Sequence, residues 1–267
     1  MRRVLAIAFS ILMACFLLLG TVVRVQASAE GYDITEAYSA GGVDLDGQWG
    51  ETEWDSNSVW VEYIDPYDAR FGYKMAMGET QYYMSWILDF PDDTDDAGDV
   101  WQICLDGTAA GGTAPTTDCN KIEITGDTLA VYVGDGAGWE EMEGADVLWA
   151  KNFTTTGDWA SYAEDHYVVE VMADKGSLGA WGANPPPEGL RVAHYDADND
   201  TWIQWPPESD QAVPDGWGLI ADYGDLVPES LSLGVIVLLS TAAAAITLYF
   251  FHKRPKTASY SGIKHLI

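Results

Sequence analysis

The stretch Lys121-Ile122-Glu123-Ile124-Thr125-Gly126-Asp127-Thr128-Leu129-Ala130-Val131-Tyr132-Val133 decides the fold class. Ile122 and Ile124 point one way while Lys121, Glu123 and Thr125 point the other, which is the two-residue period of a half-buried strand. Gly126-Asp127 suits a tight two-residue turn, so the stretch reads as an antiparallel hairpin. Working outward, the same alternation recurs at residues 59–63, 70–77, 81–88 and 100–105, and again at 147–153, 166–172, 190–195, 201–205 and 217–221. Gly, Asp and Pro turns separate these runs, and no helical stripe of any length lies between them. Many short strands of this kind predict an all-β antiparallel sandwich or barrel rather than a βαβ layout.

Charge is segregated along the chain. The 267 residues carry 13 Lys+Arg against 42 Asp+Glu, a formal net charge of −29. Residues 30–229 hold all 42 acids, six of the basic residues and all 12 tryptophans, a net charge of −36 for that segment. Such a surface repels phosphate backbones and excludes nucleic acid as a partner. A composition with 48% apolar residues and 12% aromatics supports a packed core and excludes disorder.

Both ends read as membrane segments. Met1-Arg2-Arg3 precedes an uncharged apolar run over residues 4–23, and Ala27-Ser28-Ala29 fits a signal-peptidase site, so residues 1–29 are expected to be a signal peptide. Residues 230–251 carry no charge, enough at 1.5 Å per residue to cross a hydrocarbon layer of about 30 Å. His252-Lys253-Arg254-Pro255-Lys256 follows, and basic residues stay cytoplasmic. The expected organisation is an extracellular domain (30–226), one transmembrane helix (227–252) and a basic cytoplasmic tail (253–267), which places the protein at the cell surface. Val227-Pro228-Glu229 with Lys253-Arg254 resembles the PEF-type sorting signals of archaeal surface proteins, which implies exchange of the helix for a lipid anchor.

An exterior location gives further expectations. Asn152-Phe153-Thr154 and Asn199-Asp200-Thr201 are N-glycosylation sequons. Cys104 and Cys119 are the only cysteines outside the leader, and such a pair reads most simply as a disulfide, two free buried thiols being the alternative.

Val43-Asp44-Leu45-Asp46-Gly47-Gln48-Trp49, with Glu53-Trp54, resembles the opening of family 9 carbohydrate-binding modules. Their superfamily includes DOMON domains and the haem-binding domain of ethylbenzene-dehydrogenase-type enzymes. The later strands ending in Asp89 and Asp106-Gly107, then 166–171 and 191–196, follow in the same order, so the resemblance spans about residues 43–222. It implies a two-sheet, jelly-roll-like sandwich that binds a ligand without catalysis.

Carbohydrate is the leading ligand class. Aromatic faces stack on sugar C–H groups while carboxylates and amides hold the hydroxyls, and Trp86, Trp101, Trp202 and Trp205 are the candidates beside polar residues. The resemblance also implies an alternative, b-type haem serving electron transfer, for which Met84, Met172, Lys175, His166 and His194 are the available ligand types. A third alternative is a structural envelope component. Calcium is compatible with any of these: Asp92, Asp93, Asp95, Asp96 and Asp99 cluster in one loop, and Asp196, Asp198 and Asp200 form a D-x-D-x-D run. No nucleophile elbow, H-E-x-x-H or phosphate loop is present, so no catalytic residue is assigned.

Overall fold

The computed structural model describes residues 32–35, 38–39, 43–50, 53–54, 58–64, 69–77, 82–154, 165–178 and 188–221. The chain divides into two compact units, 1–223 and 224–267, and every described residue belongs to the first. The expected leader, C-terminal span and basic tail lie outside the described residues. Among the described residues, no helix is long and apolar enough to cross a membrane.

Fourteen strands form two sheets among the described residues. They are β1 (Asp33–Thr35), β2 (Tyr38–Ser39), β3 (Val59–Ile64), β4 (Ala69–Met77), β5 (Tyr82–Asp89), β6 (Val100–Asp106), β7 (Cys119–Thr125), β8 (Thr128–Gly134), β9 (Trp139–Glu141), β10 (Val147–Thr154), β11 (His166–Asp174), β12 (Glu188–Asp196), β13 (Thr201–Trp205) and β14 (Gly218–Ala221). The larger sheet runs β1-β14-β12-β6-β7-β8-β9, with β13 also on β12. The smaller runs β10-β11-β5-β4-β2, with β3 also on β4. Pairing is antiparallel except for β1 on β14 and β2 on β4, two short parallel additions to an otherwise antiparallel layout. The 121–133 hairpin forms as read, with Thr125 opposite Thr128 and Gly126 at φ +54°.

The sheets pack face to face. Phe71, Tyr73, Met84, Trp86, Leu88, Val169 and Val171 of the smaller sheet meet Trp101, Ile103, Leu105, Ile122, Ile124, Val192 and Trp205 of the larger. Trp205 stands edge-on to Phe71 with ring centroids 5.3 Å apart, and Phe90 stands likewise to Trp101 at 5.7 Å.

A second apolar layer covers the outer face of the smaller sheet. Trp54 packs there with Ile87 and Val168, flanked by Val43, Trp49 and Trp60. The motif over residues 46–54 is anchored by one buried carboxylate. Glu170 Oε1 accepts from Trp54 Nε1 at 2.6 Å, and its Oε2 accepts from the backbone N–H groups of Asp46 (2.9 Å) and Gly47 (2.8 Å). Gly47 is at φ +71°, and a Cβ there would lie 2.6 Å from the Asn152 nitrogen, so only glycine fits this approach to β10.

The expected disulfide is corrected: Cys104 and Cys119 are both free and buried. The register explains it. Cys104 pairs with Lys121 and Cys119 with Asp106, so the two cysteines are diagonal rather than opposite. Diagonal positions lie roughly 7–8 Å apart, at or beyond what a disulfide spans. The intervening loop is held instead by Asp106, whose carboxylate accepts from the N–H groups of Thr108 and Gly111. Burial pushes both thiols up, Cys119 to about 12, where the reactive thiolate is scarce. Alkylation of the native chain is therefore expected to leave both unmodified, while denaturation without reductant exposes two reactive thiols. Intact-mass measurement checks this, and a mass two protons short of the reduced chain would contradict it.

Candidate ligand-binding face

The alternation that buries Trp101, Ile103, Ile122 and Ile124 turns their neighbours to the outer face of the larger sheet. Reading across the strands, one row is Trp202, Tyr195, Val100, Thr125 and Thr128. The next is Gln204, Ala193, Gln102, Glu123 and Ala130, and a third is Arg191, Cys104, Lys121 and Tyr132.

The segment 206–217, after β13, folds back over the third row. Trp217 is buried against Cys104 and Cys119, and its indole donates to the Asp210 carbonyl at 2.8 Å. Gln211 and Ser209 reach the sheet beside it. Arg191 donates to Gln102 Oε1 (2.9 Å), Gln204 Oε1 (2.8 Å) and the Ser209 carbonyl (3.2 Å). Lys121 donates to Glu123 Oε2 (2.8 Å) and Gln211 Oε1 (3.2 Å), with its ammonium 4.2 Å from the centre of the Tyr132 ring. Gln102 Nε2 also donates to Glu123 Oε2 at 2.7 Å. This lattice fixes each planar polar group by at least one partner; it buries Ala193 and Gln102 in the second row and leaves the first row open, with Gln204 and Glu123 half-buried beside it. Burial, then the charges of Glu123 and Glu141, pushes the Tyr132 phenol up and keeps it a neutral donor.

Aromatic surface marks one end of the open strip. Trp202 is 42% exposed and lies across Tyr195, ring centroids 5.1 Å apart at 37°. The Tyr195 hydroxyl is held by Asp200 Oδ1 at 2.8 Å, and the Arg191 guanidinium sits 5.8 Å from the Trp202 ring centre. The other end of the open row is Thr125 and Thr128, while half-buried Tyr132 and Trp139 lie on the covered side, Trp139 stacked on Trp217.

Of the four tryptophans expected to contact ligand, only Trp202 is on this surface. Trp86, Trp101 and Trp205 are 0%, 2% and 5% exposed and belong to the inter-sheet core, because each falls on the inward phase of its strand. Gln102, Glu123, Tyr132, Arg191, Gln204 and Gln211 were not anticipated. Their signal was present only as polar residues on alternate strand positions, which also describes any solvated sheet face.

The expected haem ligands do not converge. Met84 faces the core near the start of β5 and Met172 faces the other side of the same sheet. His194 lies in the core at the opposite end, stacked on Trp101 at 3.9 Å with Nε2 2.9 Å from Asp92. It touches Phe90, six residues beyond Met84, a separation of about 20 Å along a strand. His166 and Arg70 are both taken up by Asp89 at 2.6 Å, and Lys175 by Glu188. Burial alone would raise the Asp89 carboxyl, but the His166 hydrogen bond and the Arg70 charge hold it below the usual range. These residues do not fit an axial haem site.

The two acidic loops touch, since the Ala197 N–H donates to Asp99 Oδ1 at 3.0 Å. Two of their carboxylates staple their own loops, Asp99 Oδ2 accepting from the Asp96 N–H and Asp196 from Asn199, and Asp95 accepts from Lys151 of β10. Asp93 and Asp198 are exposed. Among the described residues, the acids that bring three ligand atoms within 4.8 Å of one another are Asp46, Glu53 and Glu170, not the expected loop residues. Of the two sequons, Asn199 is exposed in a turn, and Asn152 is half-buried on β10 beside Gly47.

The clamp on Glu170 predicts a pH effect. Burial raises its pKa from 4.5 to about 7, the Trp54 and backbone hydrogen bonds opposing this and the Glu53 charge adding to it. The folded state thus holds a proton that the unfolded chain has released, so stability falls as pH rises from about 4.5 to about 7. The contribution is on the order of 1–3 kcal/mol. Glu170→Gln is expected to remove it: melting temperatures of wild type minus variant, measured from pH 4 to 8, should decline across that window, and a flat difference would refute the assignment.

No protein-family model and no curated protein sequence matches the chain. The solved structures that it is similar to include a family 9 carbohydrate-binding module from Caldicellulosiruptor kristjanssonii, in complex with cellotriose and in complex with glucose. Each is 14% identical with a TM-score of 0.46, covering 71% of this chain and 93% and 95% of theirs.

Proposed function

We propose that the protein is a non-catalytic carbohydrate-binding module displayed at the cell surface, with its ligand on the open strip of the larger sheet. The observation that carries this reading is the pairing of a cross-braced amide–carboxylate lattice with exposed aromatic faces. Half-buried Glu123 and Gln204, braced from beneath by buried Gln102 and Arg191, are rigid partners for hydroxyl groups, and Trp202 and Tyr195 offer stacking surface at low entropic cost. The leader and the C-terminal span read in the sequence support display outside the membrane, with the acidity keeping the domain soluble. A glycan array probed with the full-length chain in detergent tests the ligand class, and membrane fractionation tests the anchor. Silence across neutral and acidic glycans would overturn the binding reading; recovery of the chain in the cytosol would overturn the placement.

A further inference from the structure

We propose that the strip holds an internal stretch of about four units of an uncharged, extended glycan, laid across the strands from Trp202 to Thr128, at one unit per strand spacing of about 4.8 Å. This rests on the carbohydrate reading. Three observations carry it further.

The first is length. Trp202, Tyr195, Val100, Thr125 and Thr128 stand on five successive strands, β13, β12, β6, β7 and β8, in one row. Four strand-to-strand steps span roughly 19 Å. The second is openness. Trp202 at one end and Thr125 and Thr128 at the other are exposed, so among the described residues the row has no wall against which a chain terminus would rest. The third is charge. Among the described residues, the cations of this face, Lys121 and Arg191, are 6% and 3% exposed and donate to protein acceptors, and the carboxylate of the next row is Glu123. A polyuronate or sulfated chain would meet Glu123 and a strongly negative domain without a cation turned toward it. An uncharged chain places hydroxyls against the same acceptors at no such cost.

The test is calorimetric titration of the full-length chain with linear cello-, laminari-, xylo- and manno-oligosaccharides of one to six units. Oligogalacturonates of the same lengths and borohydride-reduced forms of any binding series complete the set. In a binding neutral series, affinity is expected to rise at least tenfold from two units to four and then level off. Terminal reduction should change it less than twofold, and oligogalacturonate should bind at least tenfold more weakly. Trp202→Ala should move the plateau to a shorter chain. Binding of single sugars as tight as that of tetramers, loss of binding on reduction, or preference for oligogalacturonate would each overturn the internal-chain proposal while leaving carbohydrate binding standing. Absence of binding in every series would overturn both.

Discussion

Replacing Trp54 with alanine is expected to destabilise the domain by about 3–5 kcal/mol, the range for removing a buried aromatic. Its indole does three things at once: it packs on Ile87 and Val168, it donates to Glu170, and its ring faces the buried Lys74 ammonium at 5.1 Å. Lys74 in turn donates to the Glu53 carbonyl, so the residues flanking the tryptophan are tied to the same sheet. Truncation leaves a cavity on the outer face and a buried carboxylate oxygen short of a donor. Trp54→Phe separates these effects in part, because it keeps much of the packing and loses the hydrogen bond, and it should cost less than the alanine variant. Urea denaturation of both variants checks the order, and a loss below about 1 kcal/mol for the alanine variant would mean that Trp54 does not cover the sheet.

This clamp shows what a linear reading can and cannot recover. A period of two survives where one face stays partly wet, as in the 121–133 hairpin; β11 and β12 also appear where they were read, although both faces of each are largely buried. In β5 the pattern fails, since Met84, Trp86 and Leu88 face one covering layer and Ser85, Ile87 and Asp89 another, all of them buried. No alternation marks which side of such a strand is the core, so Trp86 could be mistaken for a surface residue. Strands β1, β2 and β9 have two or three residues each and carry too few positions for a period. The candidate site was hidden for a different reason. Its polar residues come from β6, β7, β12, β13 and the 206–217 segment, and only the sheet order and the fold-back bring them together. The acidic runs are a different case, because several of their carboxylates, adjacent in sequence, bond to their own turns.

Trp202 and Trp205 are expected to respond in opposite ways to the same truncation. They are three positions apart on one strand, an odd separation, so the pleat sends them to opposite faces. Trp205 falls in phase with buried Ile203 and reaches Phe71 on the facing sheet, whereas Trp202 falls in phase with Gln204 and remains exposed. Trp205→Ala should therefore cost about 3–5 kcal/mol of stability by opening the core between the sheets. Trp202→Ala should change stability by no more than about 0.5 kcal/mol. Glycan affinity reverses the order: loss of the Trp202 stacking face should weaken binding on the order of 10- to 100-fold, as for an aromatic anchor at an interface. Any loss in Trp205→Ala should follow the fraction unfolded and recover under conditions that refold it. Chemical denaturation and calorimetric titration on the same two preparations check all four outcomes. Should Trp202→Ala bind as wild type does while Trp205→Ala, still folded, does not, the ligand lies elsewhere than on the outer face of the larger sheet.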